Sequence, residues 1–260
     1  YGGTAPSTVT TAGSGVVSIY SNNYAFAALK SDGSVVAWGI SSYGGTTPGN
    51  VSSDVVAVYS TGNSFAALKT DGSVVAWGDY STGSGTEAPS TVTTAGSGVV
   101  SIYSTEHALA ALKSNGSVVT WGSSSYGGTT PGNVSSGVVA VYSSPYVFAA
   151  LKTDGSIVTW GTTSSGGTAP SSVTDANSGV VSIYSTFFAF AALKTDGSVV
   201  AWGNSTYGGT APSSVTAANS GVVSIYSNNY AFAALKIDGS VVAWGESSYG
   251  GSSSSVSSSL

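Results

Sequence analysis

An all-β fold built from six similar units is predicted by three features of the sequence. A segment of 14 residues, which begins as Phe-Ala-Ala-Leu-Lys at residue 26 and ends as Ala-Trp-Gly at residue 39, recurs six times with few changes. Short runs of β-branched and aromatic residues alternate with Gly, Ser and Asn, as is typical of strands and turns. No segment shows the apolar period of an α-helix. Six tryptophans mark the units: Trp38, Trp77, Trp121, Trp160, Trp202 and Trp244.

Each unit is predicted to contain three strands. In the first unit these are residues 16–20, 25–30 and 34–38. Between the last two lies Asp32-Gly33, a pair typical of a tight hairpin turn with a positive φ angle. A linker rich in Ser, Gly and Thr follows, and its single proline indicates chain that runs between sheets.

Repeats of about 42 residues with three short antiparallel strands predict a six-bladed β-propeller, and the alternative is an open β-solenoid. Residues 1–3 repeat the linker motif Tyr-Gly-Gly of residues 249–251, so the spacing from the last unit to the first would match the internal period. This favours a ring. We therefore expect one propeller domain over residues 1–251 and a Ser-rich tail over residues 252–260.

Composition excludes several classes of function. Only 7% of the residues are charged, the net charge is −5, and six lysines stand with no arginine, which argues against a nucleic-acid partner. No apolar run reaches the roughly 18 residues of a membrane span. With no cysteine and one histidine, the chain lacks a catalytic triad and a thiolate or histidine-cluster metal site. We expect no cofactor, no metal and no enzymatic activity. Because methionine is absent even at position 1, we also expect the product of a longer precursor.

The repeat resembles a known family. Residues 106–122, Glu-His-Ala-Leu-Ala-Ala-Leu-Lys-Ser-Asn-Gly-Ser-Val-Val-Thr-Trp-Gly, are similar to the His-x-x-Ala-Leu, Asp-Gly-x-Val and Trp-Gly elements of the regulator-of-chromosome-condensation repeats. The short three-stranded form most resembles the secreted β-lactamase inhibitor protein II type within that group. The resemblance implies a propeller that binds partners on one loop face. Two departures are that six units stand here where both relatives have seven, and that the linker reads Tyr-Gly-Gly-Thr.

Two short segments vary among the otherwise similar units. One is the triplet after the first strand, and the other follows Trp-Gly. Strands that run up, down and up place both segments at one end of a blade and the Asp-Gly turn at the other. These loops either form a binding surface or have drifted where packing does not restrain them. The predicted partner-binding face comprises Asn22, Asn23, Tyr24, Asn63, Asp79, Tyr80, Glu106, His107, Tyr146, Phe187, Phe188, Asn228, Asn229 and Tyr230.

These features indicate a non-enzymatic scaffold or recognition module at the cell surface or outside the cell, which binds protein partners and takes part in a larger assembly or fibre. The alternative is a lectin with repeated aromatic and Asn sites, and a lower alternative is an inhibitor of an enzyme, which the family resemblance alone implies. Four acceptor sequences for N-linked glycans are candidates for modification: Asn50, Asn115, Asn133 and Asn204.

Overall fold

The computed structural model describes residues 3–79 and 88–252, and there it contains six three-stranded antiparallel sheets, numbered here as blades 1 to 6 in chain order. In each blade the second strand lies between the first and the third. The chain divides into two compact units, residues 1–136 with blades 1 to 3 and residues 137–260 with blades 4 to 6.

The strands are short and nearly identical in length from blade to blade. They are β1 (Val16–Ser21), β2 (Ala25–Lys30) and β3 (Val35–Gly39); β4 (Val55–Ser60), β5 (Ser64–Lys69) and β6 (Val74–Gly78); β7 (Val99–Ser104), β8 (Ala108–Lys113) and β9 (Val118–Gly122); β10 (Val138–Ser143), β11 (Val147–Lys152) and β12 (Ile157–Gly161); β13 (Val180–Ser185), β14 (Ala189–Lys194) and β15 (Val199–Gly203); and β16 (Val222–Ser227), β17 (Ala231–Lys236) and β18 (Val241–Gly245). In the first repeat, the predicted strands are confirmed to within one residue at each end.

Pairing between the first and second strands carries a bulge in every blade. In blade 1, Val16 pairs with Lys30 and Ser18 pairs with Leu29, so that Val17 is the extra residue. Such an extra residue is left out of the ladder. Val17 and its counterparts in the other five blades are all exposed.

The linkers contain single helical turns, which the sequence analysis did not anticipate. Within residues 3–79 and 88–252, four of these turns are α-helical: α1 (Ser7–Thr10), α2 (Ser90–Thr93), α3 (Ser171–Thr174) and α4 (Ser213–Thr216). Each follows the linker proline, which stands at the N-cap in an extended conformation, where its missing N–H costs the helix no hydrogen bond. A single turn is too short to show the apolar period of a helix, which explains why the sequence pattern gave no sign of it.

The Asp-Gly turns form as predicted. Gly33 has a φ of 77°, and its amide donates to the carbonyl oxygen of Lys30 at 3.0 Å. The carboxylate of Asp32 accepts hydrogen bonds from the backbone amide and the hydroxyl of Ser34 at 2.9 and 2.6 Å. In blade 3 Asn115 takes the place of the aspartate and accepts the same two bonds from Ser117.

We expect these turns to make stability sensitive to acid. Five aspartates accept hydrogen bonds from the serine two residues later. The serine hydroxyl and, to a lesser extent, its backbone amide lower the pKa of these aspartates from the usual 3.8: Asp32, Asp71, Asp154, Asp196 and Asp238. A carboxylate whose pKa is lowered on folding stabilises the folded state fully above 3.8, and this stabilisation is lost as the pH falls through the lowered pKa. The melting temperature should therefore fall below pH 3.8.

The matched variant for this prediction replaces all five aspartates by asparagine, because Asn115 shows that an amide oxygen supports the same turn. Melting temperatures of the two proteins, followed by circular dichroism from neutral pH to pH 2, should converge as the pH falls. An equally steep loss in the variant would mean that other groups cause the acid sensitivity.

The apolar core lies between successive blades rather than within one sheet. In the first unit, Val58, Phe65 and Trp77 of blade 2 pack on Ala27 and Leu29 of blade 1. The equivalent residues pack between blades 2 and 3, 4 and 5, and 5 and 6. We call the surface that carries the Ile or Val, Phe or Leu, and Trp side chains the rear face of a blade. The opposite surface, which carries the two Ala, the Leu and the first Val or Ile of the third strand, is its front face.

Candidate partner-binding surface

The two variable segments of each blade meet at one edge. In blade 1 the amide of Ile40, which follows Trp-Gly, donates to the carbonyl oxygen of Tyr24 at 3.1 Å. Asn204 donates to Phe188 in the same way at 2.9 Å in blade 5. The equivalent bond is present in all six blades. The prediction that both segments lie at the same end of a blade follows from strand direction, and these bonds agree with it.

Variable loops of neighbouring blades are also joined to each other. In the first unit the amide of Asn23 donates to Gly62, and the amide of Gly62 donates to Glu106, at 3.0 and 2.9 Å. In the second unit the amide of Phe187 donates to Asn229 at 2.9 Å. Within each unit the loops therefore lie side by side.

The Asp-Gly turns bond to a different part of the next blade. The carbonyl oxygen of Gly72 accepts from the amide of Val99, where the following blade begins, at 3.3 Å. It also accepts from the hydroxyl of Ser97 at 2.6 Å. The turns thus occupy the edge opposite to the variable loops.

The first residue of each variable loop has a structural role. The amide oxygen of Asn22 accepts from the backbone amides of Tyr24 and Ala25, both at 2.8 Å, and its amide nitrogen donates to the carbonyl oxygen of Tyr43 at 2.7 Å. Asn228 makes the same three bonds in blade 6. Asn22 and Asn228, which the sequence places on the partner-binding face, therefore hold the loop to the linker.

Aromatic side chains form a continuous band along the loop edge of the second unit. The ring of Tyr146 stacks on Phe188 with centroids 5.3 Å apart, and Phe188 contacts Tyr207 at 4.8 Å. Tyr207 contacts Tyr230 at 5.6 Å, and Tyr230 contacts Tyr249 at 4.4 Å. Phe187 touches both Phe188 and Tyr230, at 6.2 and 5.6 Å. Five of these residues are half-buried, and the sixth, Tyr249, is exposed. We call these six residues the aromatic band.

Sequence reasoning missed the linker tyrosines in this band. Tyr207 and Tyr249 belong to the repeated Tyr-Gly-Gly motif, which the sequence indicates only as linker. Each stands nineteen residues after the last residue of a variable loop, Phe188 or Tyr230, and the same spacing separates the stacked pair Tyr24 and Tyr43. The constant spacing is the signal that would have paired them.

The other predicted face residues are placed differently. The side-chain amide nitrogen of Asn23 donates to the carboxylate of Glu106 at 3.2 Å. The ring of His107 packs edge-on against Tyr126 at 4.7 Å, and its Nδ1 is buried without a hydrogen-bond partner in the part of the chain that the structure describes. The sequence predicts Asp79 on the partner-binding face, but the structure buries it.

Asp79 is 3% exposed, and its carboxylate accepts from the amide nitrogen of Asn63 at 3.3 Å. This burial leaves it no surface for a partner. Tyr80, the tail from residue 253 onward and residues 1–2 of the repeated linker motif lie outside the described residues.

Three of the four glycan acceptors are exposed: Asn50, Asn115 and Asn133. Asn204 is half-buried, and its side chain accepts a hydrogen bond from the amide of Thr206. Over residues 3–79 and 88–252, no group of three or more His, Cys, Asp or Glu side chains is arranged to hold a metal ion. No helix in the same ranges has the length and apolar character that crossing a membrane requires.

Comparisons with known proteins place the fold. No family model matches the chain, and no curated protein matches it. Yeast RCC1 (Prp20) bound to Kap60 aligns with 90% of this chain and 70% of its own, at a TM-score of 0.51 and 16% identity. Prp20p from Saccharomyces cerevisiae aligns with a TM-score of 0.50 over 90% of this chain and 72% of its own, at 16% identity. The fold is an RCC1-like β-propeller.

The ectodomain of the Physcomitrella patens receptor kinase CR4 gives the same result, with a TM-score of 0.50, 19% identity and 88% of this chain covered. This chain spans 61% of that ectodomain. At such identities the likeness shows the fold alone. It confirms the predicted propeller, and six three-stranded blades in the described residues match the six predicted units.

Proposed function

We propose that this RCC1-like propeller is a non-enzymatic recognition module that binds a protein partner through its variable loops. The observation that carries the proposal is the aromatic band of the second unit. Aromatic side chains that are already packed against one another lose little conformational freedom on binding, and such residues dominate the affinity of protein interfaces.

The contacts within the loops favour protein over glycan. Sugar rings are bound by flat, open aromatic faces with hydrogen-bonding groups beside them. Here the rings of Phe187, Phe188 and Tyr230 meet edge-on or tilted, so that they cover part of each other's faces. The amides of Asn22 and Asn228 are engaged within their own loops. What remains is an apolar surface of low charge, which suits a protein partner.

We further propose that the module works outside the cell or at its surface. The low charge of the chain and the three exposed glycan acceptors support this location. One of the similar structures is itself a receptor ectodomain. A lectin is the second candidate because Asn23 and Asn229 are exposed beside aromatic rings. Inhibition of an enzyme rests on the sequence resemblance to the β-lactamase inhibitor type.

The test is a binding screen with a variant of the band. Purified wild-type protein is immobilised and screened against secreted and cell-surface proteins and, in parallel, on a glycan array. The variant carries Tyr146→Ser, Phe187→Ser, Phe188→Ser and Tyr230→Ser. We expect protein partners of the wild type to bind this variant at least tenfold more weakly, because the central side chains of the surface are removed.

The matched control removes four apolar side chains that are exposed elsewhere. Val56→Ser, Val139→Ser, Val181→Ser and Val223→Ser change the bulge positions of four blades, which are about half exposed. This control should bind as the wild type does. Equal binding by all three proteins would refute a role for the band, and a glycan ligand without any protein ligand would favour the lectin.

A further inference from the structure

The linker turn that follows each linker proline presents one exposed position in every repeat. The residue two positions after the proline is a threonine, a serine or an asparagine in all six linkers: Thr8, Asn50, Thr91, Asn133, Ser172 and Ser214. All six are exposed. These are the residue types to which proteins attach glycans, through a hydroxyl oxygen or an amide nitrogen. We call this position the linker acceptor.

Two of the linker acceptors are complete N-linked acceptor sequences. Asn50 and Asn133 each begin the sequence Asn-Val-Ser. In these two linkers a glycine stands directly after the proline, so the asparagine is the first residue that can carry a sugar. In the other four linkers a hydroxyl residue stands in the same register. The N-linked sequences thus point to a sugar at the position that the hydroxyl residues share.

A valine anchors each linker turn directly after the acceptor. Five of the six valines are fully buried, at 0% exposed: Val51, Val92, Val134, Val173 and Val215. Successive side chains of a helical turn point in different directions, because each residue advances the turn by less than a third of a full rotation. Burial of the valine therefore directs the residue before it outward. The acceptor is displayed on a fixed support.

The hydroxyl groups of the linker acceptors have no internal partner. Within the described residues, no hydrogen bond occupies the side-chain hydroxyl of Thr91, Ser172 or Ser214. By contrast, Thr94 lies in the same linker as Thr91 and donates its hydroxyl to the carbonyl oxygen of Ser90 at 2.8 Å. A hydroxyl that makes no internal bond keeps its oxygen lone pairs for a new covalent bond.

Lysine side chains show at which edge of a blade the linker acceptors lie. Lys113 ends β8 next to the hairpin turn, and its Nζ donates to the carbonyl oxygen of Thr91 at 3.1 Å. Lys69 makes the same contact with the N-linked candidate Asn50 at 3.4 Å. The acceptors therefore lie at the edge of the Asp-Gly turns, which is opposite to the variable loops.

We propose that the hydroxyl residues at the linker acceptor position carry O-linked glycans, in register with N-linked glycans at the two asparagines. The O-linked sites are Thr8, Thr91, Ser172 and Ser214. These sites rest on the proposed location outside the cell and are independent of the aromatic band. A sugar coat at the turn edge leaves the loop edge open to a partner.

The modification is a glycosyl transfer from a nucleotide-activated sugar. The hydroxyl oxygen of the acceptor forms a bond to the anomeric carbon of the sugar. The nucleoside diphosphate leaves with the electron pair of its own bond to that carbon, and the hydroxyl proton passes to a base of the glycosyltransferase. Because only 7% of the residues are charged, the chain has little charge repulsion to oppose association, and bulky hydrophilic sugars supply that protection.

The experiment is mass spectrometry of the full chain secreted by cultured eukaryotic cells, with the same chain made in bacteria as the unmodified reference. N-linked glycans are removed enzymatically. The mass that remains above the reference, in steps of hexose and N-acetylhexosamine, is then O-linked. Fragmentation that keeps glycans on their side chains should place it on the four hydroxyl linker acceptors.

Two sets of substitutions locate the sites. The variant with Thr8→Ala, Thr91→Ala, Ser172→Ala and Ser214→Ala should lose the O-linked mass. The matched control carries Thr10→Ala, Thr93→Ala, Thr174→Ala and Thr216→Ala, which change an exposed threonine two residues further along each of the same turns. This control should keep the O-linked mass of the wild type.

Absence of O-linked mass on the secreted wild type overturns the proposal, as does O-linked mass that the variant retains in full or the control loses. Binding to any partner from the screen is measured before and after glycan removal, and it should not change, because the acceptors and the loops lie at opposite edges. O-linked mass at these sites on a protein without any partner would refute the proposed binding function and support the glycan sites.

Discussion

Replacing Phe190 by alanine should lower the free energy of unfolding by about 3–5 kcal/mol, the usual cost of deleting a buried phenylalanine. Its ring is fully buried in blade 5, stacks on Trp202 with centroids 5.6 Å apart, and packs on the front face of blade 4. The cavity left between two stiff sheets would not collapse, because both backbones are fixed by their ladders. Urea unfolding followed by tryptophan fluorescence measures the loss.

Phe26 is the matched control for this prediction. It occupies the same position in blade 1 and stacks on Trp38 at 5.4 Å, but it is half-buried. Phe26→Ala should cost less than half as much, because less apolar surface is removed from water at this position. Equal losses would contradict the difference in burial between Phe190 and Phe26.

Gly203→Ala should be the second strongly destabilising change. Gly203 ends the third strand of blade 5 with a φ of 107°, and an added Cβ would lie 2.6 Å from the carbonyl oxygen of Phe188. The strained φ alone costs about 1–3 kcal/mol, and overpacking against backbone atoms adds about 1–3 kcal/mol. Because the next residue donates to Phe188, the shift should also disturb the aromatic band.

Gly49→Ala provides the comparison. Gly49 begins a single helical turn in the linker, its φ is not positive, and no atom lies within 4 Å of an added Cβ. This change should leave stability unchanged or raise it by about 0.4–1 kcal/mol, since alanine reduces the freedom of the unfolded chain. Thermal melts of the two variants test the contrast. Similar melting temperatures for both would refute the steric argument at Gly203.

Most of the fold could be predicted from short-range chemistry. The Asp-Gly pair specifies a turn because Gly33 takes a positive φ and the aspartate accepts from the next serine. Because the three strands of a blade alternate in direction, both variable segments lie at one edge of each blade. The repeated Trp marked six units, and the structure contains six blades in the described residues.

The location of the candidate loop residues could be predicted from the sequence only in part. The sequence singled out Tyr146, Phe187, Phe188 and Tyr230 as surface residues. It did not indicate that Asn22 and Asn228 clamp the loops, since an asparagine that binds a partner and one that bonds its own backbone look alike in a sequence. It also assigned Asp79 to the surface, whereas the structure buries it.

By itself, the sequence determined the repeat, the strands, the turns and the edge on which the variable loops lie, because each depends on a few neighbouring residues. The tertiary structure alone decided which residues are covered. Ile19 and Ile225 occupy the same position in the same repeat, yet one is exposed and the other buried. Burial is a property of the surface that packs on a residue, and no local pattern encodes whether that surface is present.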